Sequence, residues 1–365
     1  TPAFVISSGR YAVLRDTVHT AYGAIPVEVW HNPRHAAPAA RLLAVSARSL
    51  TQLVQDFGAY PHDVLRVIEV SSQWRFGAYA MPGSIYLTES RGMLSDARAD
   101  DVDLLLRRIG HEIAHEWWGH AVNPLDVEGR LLLVETLARY AEQLLVQRTQ
   151  GEATVRAMLG FEEDRYFRSR WVGERPLLTI IDEDGLFYGK GALAMHAMRH
   201  LLGDSVVLRV ARNVLTTHAG PRGTATAAGF VEALMTAAPD SAARRVVHEW
   251  FAERVIYDFA VDTAALLPSD AGTAVTAKFR VTRTALVDSA GQSVERTQPL
   301  DGEMLPVGLR GRDGRWDMLR ARAVRGVVVL DTVVRWPVER VEIDAERVWL
   351  ERDRSDNGKQ RSTGT

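Results

Sequence analysis

The 365-residue chain contains no cysteine, so thiolate metal ligands, cysteine nucleophiles and disulfide bonds are all excluded. Lysine is nearly as scarce, with Lys190, Lys278 and Lys359 the three present among 44 basic residues. The arginine bias reads first as a consequence of coding-base composition and second as a stability adaptation. No run of eighteen apolar residues occurs, so no segment is long and apolar enough to be a membrane-spanning helix. The formal net charge is only −2, which argues against electrostatic binding of nucleic acid. An apolar fraction of 46% with 25% charged residues is ordinary for a globular protein, and the length suffices for two domains with their own cores. There is no internal repeat and no low-complexity tract.

What the chain does have is His111-Glu112-Ile113-Ala114-His115, an H-E-x-x-H segment of the kind that holds zinc for hydrolysis. On a helix of 3.6 residues per turn the i and i+4 imidazoles leave one face and can share an ion, with Glu112 in reach of a water beside them. Val102, Leu105, Leu106, Ile109, Ile113 and Trp117 recur at steps of three and four and form the buried stripe, with Asp100 or Asp101 placed to cap the helix. His111 and His115 are each two residues from Ile113, about 200° around the helix, and so face a cleft.

A catalytic zinc takes three protein ligands and keeps one position for water. The best third ligand is Glu135, on a second amphipathic helix that a short connection around Asn123-Pro124 folds back against the first. Glu142, two turns further along the same face, is placed to hydrogen-bond a ligand imidazole from behind. The longer metzincin pattern is excluded by Trp118 and Ala121, and His120 is off the ligand face.

The run His111-Glu112-Ile113-Ala114-His115-Glu116-Trp117-Trp118-Gly119, with Val134-Glu135 and Ala138-Arg139-Tyr140 downstream, resembles the zinc site of the aminopeptidase N family of gluzincin metallopeptidases. The resemblance implies one Zn²⁺ per chain, a peptide substrate, and Glu112 as general base. Glu135 lies twenty positions after His115, one more than the family usually shows, as a single inserted loop residue would explain. Phe187-Tyr188-Gly189-Lys190-Gly191-Ala192 resembles the family segment that supplies a catalytic tyrosine, which makes Tyr188 the expected oxyanion donor.

A third element departs from the family. Its members carry a Gly-Ala-Met-Glu-Asn strand whose glutamate binds the substrate's free amino terminus, and here the matching run is Gly77-Ala78-Tyr79-Ala80-Met81. Ala80 stands at the glutamate position. An ammonium group taken from water without a carboxylate partner loses its compensation, so exopeptidase action loses its main support. The Pro82-Gly83 turn and the strand from Ile85 to Glu89 persist, so an extended peptide can still be bound along this run through backbone hydrogen bonds.

The expected fold class is therefore α+β: a thermolysin-like, mostly helical zinc metallopeptidase domain followed by a small β-sandwich. The expected boundaries are 1–35 as strand and linker left from a missing amino-terminal β-domain, 36–256 as catalytic domain, 257–352 as sandwich, and 353–365 as a disordered tail. A helix opened by Pro38 and a buried strand from Val64 to Val70 precede the Gly77 strand. The chain starts at Thr1 without methionine or secretory leader and is read as part of something longer. A weaker similarity to metallopeptidase-like domains joined to bacterial membrane permeases implies a membrane-tethered parent. The rival function is a catalytically weak zinc-binding scaffold or peptide-binding module, and a third is hydrolysis of a non-peptide substrate such as an epoxide. Arg107-Arg108 reads as a solvated patch, His196 and His200 as a helix face, and Asp182-Glu183-Asp184-Gly185 as a turn.

Overall fold

The computed structural model describes residues 6–94, 102–124, 127–170, 174–220, 225–289 and 292–361. The helices in chain order are α1 (Ala36–Phe57), α2 (Glu89–Gly92), α3 (Leu104–Ala114), α4 (Leu137–Gln150), α5 (Glu152–Ser169), α6 (Gly191–Leu202), α7 (Asp204–His218), α8 (Ala227–Ala237) and α9 (Ser241–Ala252). The chain forms two compact units, Thr1–Met158 with Ser205–Phe230, and Leu159–Asp204 with Val231–Thr365. The boundary expected near residue 256 is of a different kind. Local patterning marks a change from helix to strand there, but it carries no record of which distant segments pack together.

The first unit is built on a five-stranded sheet of β1 (Ala12–Thr20), β2 (Gly23–His31), β3 (Leu65–Val70), β4 (Ala78–Met81) and β5 (Ser84–Thr88), in the order β1-β2-β3-β5-β4. β3 lies parallel to both β2 and β5. Its near-continuous apolar run, with Leu65, Val67 and Ile68 buried, suits a strand covered on both faces. α1 supplies one cover, burying Leu42, Val45, Leu50, Leu53, Val54 and Phe57 along one stripe. Within 1–35, expected as a remnant, the two strands are instead integral to this sheet. β1 and β2 form a hairpin, and Val27 and Val29 on β2 are fully buried beside β3. β4 pairs with β5 alone and is the edge strand.

α3 is capped by Asp103, whose carboxylate accepts from the backbone N–H of Leu105 and Leu106. The expected caps Asp100 and Asp101 lie outside the described residues. α3 buries Leu105, Leu106, Ile109 and Ile113 as its spacing predicts. It approaches α4 so closely at Gly110 that a Cβ there would sit 2.3 Å from Leu145 Cδ1.

In the second unit the β-strands are β6 (Val255–Ser269), β7 (Gly272–Ser289), β8 (Gln292–Pro299), β9 (Met304–Arg310), β10 (Trp316–Val324), β11 (Val327–Val334), β12 (Arg340–Ile343) and β13 (Gly358–Gln360). They make one antiparallel sheet in the order β13-β12-β9-β10-β11-β7-β6, with β8 beside β7. The ends of this sheet meet, since Tyr257 N donates to Leu350 O and Val261 N to Asp356 O. Phe259, Phe279, Leu305, Val307, Leu309 and Val341 are buried within it.

The expected disordered tail is corrected as far as residue 361. β13 pairs with β12, and Arg354 is held by Asp344 at 2.7 Å and Glu163 at 2.9 Å. The polar composition that suggested disorder is here the material of a buried ion network, whose partners lie up to 191 positions away in sequence. Among the described residues no helix is long and apolar enough to cross a membrane.

Candidate metal centre

The last turn of α3 carries His111, Glu112 and, at its C-cap, His115. All three are buried. After His115 the chain turns sharply through Trp117 and Trp118, which pack against Phe57, Trp118 edge-on and Trp117 tilted, while Trp117 Nε1 donates to Ala59 O. Gly119 ends the turn with φ +122°, a conformation L side chains rarely adopt.

Glu135 arrives from the opposite side on a π turn, Leu132–Thr136, that leads into α4. A π turn holds more residues than an α turn and often marks a functional position. The count of twenty from His115 therefore ends within a widened helical turn, not after a plain α-helical start.

His111 Nε2 lies 3.2 Å from Glu135 Oε2 and 3.2 Å from His115 Nε2, and His115 Nε2 lies 3.6 Å from the same carboxylate oxygen. Two bonds of about 2.0–2.1 Å at tetrahedral angles separate zinc ligands by about 3.3 Å, so the donor set fits that ion. His115 Nδ1 is 3.1 Å from Trp118 O, an arrangement that keeps the proton on Nδ1 and leaves Nε2 its lone pair. Burial and the neighbouring His111 push the His115 imidazole down to about 4, so the ring is in its neutral, ligating form near pH 7.

Behind His111, Glu142 is fully buried on α4 and its carboxylate is 3.8 Å from Nδ1, longer than a hydrogen bond. Arg107 bonds one of its oxygens and Arg139 the other, the latter at 2.7 Å. Burial alone would raise this carboxyl, but Arg139 and Arg107 outweigh it and hold the group down at about 2. Arg107 is thus an internal partner of the site, not the solvated residue its sequence context suggested. The available signal was its position four residues before His111, on the same helix face.

Burial pushes the Glu112 carboxyl up to about 7, with Glu135 adding to the rise and His111, Arg139 and a backbone hydrogen bond from Ala80 opposing it. A carboxylate poised near neutrality in a buried cleft has the character of a general base. The bond to Ala80 also fixes β4 against α3. Along β4, Ala80 is buried while Tyr79 is exposed, so no carboxylate approaches the centre from position 80. The remaining run of Gly77, Ala78 and Met81 continues this edge.

Sequence reasoning missed Glu116. Its buried carboxylate accepts from Gly83 N at 3.0 Å and lies 2.8 Å from His62 Nε2, tying the turn between β4 and β5 to the end of the metal helix. Its only signal was adjacency to His115. Tyr188 lies in the second unit, on a π turn, Gly185–Lys190, that precedes α6.

Residues 43–250, more than half of the chain, match the model of the peptidase family M1 domain. The chain belongs to peptidase family M1. M1 peptidases are metallopeptidases that depend on zinc in general, and the matched span contains the donor cluster, Glu112, Glu142, the β4 run and Tyr188. The fold is similar to that in the crystal structure of Legionella pneumophila aminopeptidase A in complex with aspartic acid, with a TM-score of 0.65, 15% sequence identity and 94% of this chain covered. That alignment spans 38% of the Legionella chain. No curated protein matches the chain in sequence. The α+β architecture expected from sequence, a mostly helical M1 domain followed by a β domain, is the one observed.

Proposed function

We propose that this chain hydrolyses peptide bonds with one Zn²⁺ held by His111, His115 and Glu135, and that it does so without gripping a free amino terminus. The observation that carries the reading is the convergence of those three donors within 4.8 Å of one another, beside a buried Glu112 whose carboxyl is raised to about 7. Bound zinc supplies Lewis acidity, lowering the pKa of a water toward about 7 and polarising a carbonyl.

The chain's own residues perform the proton work. The Glu112 carboxylate takes a proton from the attacking water and later delivers it to the leaving amine nitrogen. Trp118 O orients the His115 imidazole, and the Glu142 carboxylate places a negative charge behind His111. Tyr188 donates its phenol hydrogen to the developing oxyanion, a role that rests on its sequence segment.

Glu142 has a separable test. Replacing it with glutamine removes the charge behind His111 and should weaken zinc binding about 10-fold to 100-fold, read by competition with a chelator at fixed pH. Unchanged zinc affinity would remove Glu142 from the metal's support.

The substrate-binding part of the reading rests on Ala80. Products from a peptide library with matched free and acetylated amino termini, mapped by mass spectrometry on zinc-loaded protein, should show internal or acetyl-indifferent cleavage. Stepwise release of single residues from free termini only would mean that the amine is held elsewhere. Ala80 also favours a second reading, a zinc-binding scaffold without turnover, because an inactive fold has no need of an amine anchor. Complete absence of cleavage would support it. The raised Glu112 carboxyl speaks against it, since a scaffold gains nothing from burying a base beside the metal.

A further inference from the structure

We propose that Lys190 is a positioning residue for Tyr188, holding the π turn that carries the phenol against α5 through its ion pair with Glu174. This rests on the reading of Tyr188 as oxyanion donor.

Lys190 is one of three lysines in the chain and is 1% exposed. Burying an ammonium group costs heavily unless partners meet it, and here they do. Nζ lies 3.5 Å from Glu174 Oε1, donates to Glu253 O at 3.1 Å, and sits 5.9 Å from the ring centre of Tyr166. Glu174 is itself fixed, since Tyr166 OH is 3.1 Å from each of its oxygens and Arg170 Nε is 3.4 Å away. The ammonium therefore plugs into a site that the second unit has already built.

The rest of the turn is seated with the same tightness. A Cβ on Gly189 would be 3.0 Å from both Glu162 O and Tyr166 N, and one on Gly185 would be 1.7 Å from Ser169 Oγ. The two glycines, four residues apart, thus lay the backbone of the turn directly on the last two turns of α5. The Arg165 guanidinium stands over the Tyr188 ring at 5.4 Å from its centre. A π turn is a rare conformation, and this one is pinned at Gly185, at Gly189 and at Lys190, on both sides of Tyr188. With its backbone fixed, the phenol has only two side-chain torsions left, and Arg165 restricts them. A buried lysine is otherwise a poor filler, because an apolar residue of similar volume packs there at no cost in desolvation. Its retention two residues after Tyr188 fits a demand for direction in the turn.

The test is a double-mutant cycle of Lys190→Met and Tyr188→Phe in the zinc-loaded chain. It is read as kcat and KM on a cleaved peptide and, independently of turnover, as affinity for a phosphinic peptide whose tetrahedral oxygen takes the place of the oxyanion. Lys190→Met should lower kcat and phosphinic-peptide affinity about 10-fold to 100-fold, as misplacement of a reacting group by about 1 Å does, while KM and zinc content stay near those of the parent. In the Tyr188→Phe background the same replacement should cost less than about 2-fold, because the group it positions is gone. Glu174→Gln should behave like Lys190→Met and replaces it should that variant fail to fold. Additive losses in the cycle, or full kcat and affinity in both single variants, would overturn the proposal while leaving Tyr188 in place. A Tyr188→Phe variant that loses neither kcat nor affinity would overturn the oxyanion reading first, and the positioning role with it.

Discussion

Glu112→Gln should yield a folded, zinc-loaded chain whose kcat/KM falls by about 10² to 10⁴, the contribution of a positioned general acid–base group. Glutamine keeps the size of the side chain and an oxygen for the backbone hydrogen bond from Ala80, so the packing between α3 and β4 should survive. His111, His115 and Glu135 keep their donor atoms, so metal content should not change. What disappears is a carboxylate that burial has lifted to about 7, near enough to neutral pH both to accept and to return a proton. The decisive comparison is turnover at equal zinc content, measured by elemental analysis beside the kinetic assay. Turnover within about 3-fold of the parent would show that another group takes the water's proton.

The second large effect is expected at Tyr188. Phenylalanine there removes one hydroxyl, and the loss should be about 10²-fold to 10³-fold in kcat with KM and zinc content nearly unchanged. A hydrogen bond to an oxyanion exists only after the carbonyl has been attacked, so removing it spares substrate binding and penalises the transition state. The two substitutions also differ diagnostically. An exogenous small base can partly restore Glu112→Gln by supplying the missing proton acceptor, whereas it has nothing to offer Tyr188→Phe. Unchanged kcat in Tyr188→Phe would take the residue out of the mechanism.

Much of the candidate centre was legible in sequence, because its chemistry is written in short spacings. His111 and His115 had to share a helix face, and Glu135 was the acidic residue on the next amphipathic segment. Glu142 was expected to hydrogen-bond a ligand imidazole, whereas its carboxylate stands 3.8 Å from His111 Nδ1 and is bonded by Arg107 and Arg139. Its spacing pointed toward His111, while the two arginines that keep it ionised come from α3 and α4 together. Likewise Glu116 and Lys190 each sit inside a recognised motif, yet their partners, Gly83 and His62 for one and Glu174 and Glu253 for the other, are 16 to 63 positions away.

The edges of the chain illustrate the same division. Residues up to about 35 read as a strand and linker left from a missing domain, and only the parallel pairing of β2 with β3 makes the β1–β2 hairpin part of the sheet. The segment after Asp353 read as disordered from its Ser, Gly and Asn content, and only the pocket of Asp344 and Glu163 gives Arg354 a reason to be ordered.

The sequence by itself determined the metal-ligand spacing, the family, the order of helical and β regions, and the absence of a carboxylate at position 80, since these depend on residue identity and on helical or strand periodicity. Tertiary structure alone decided which buried charges neutralise one another, where the compact units divide, and how the π turns present Glu135 and Tyr188. Those outcomes depend on contacts between residues far apart in the chain, and the strength of an ionic or hydrogen-bonded contact is set by burial that no local pattern records.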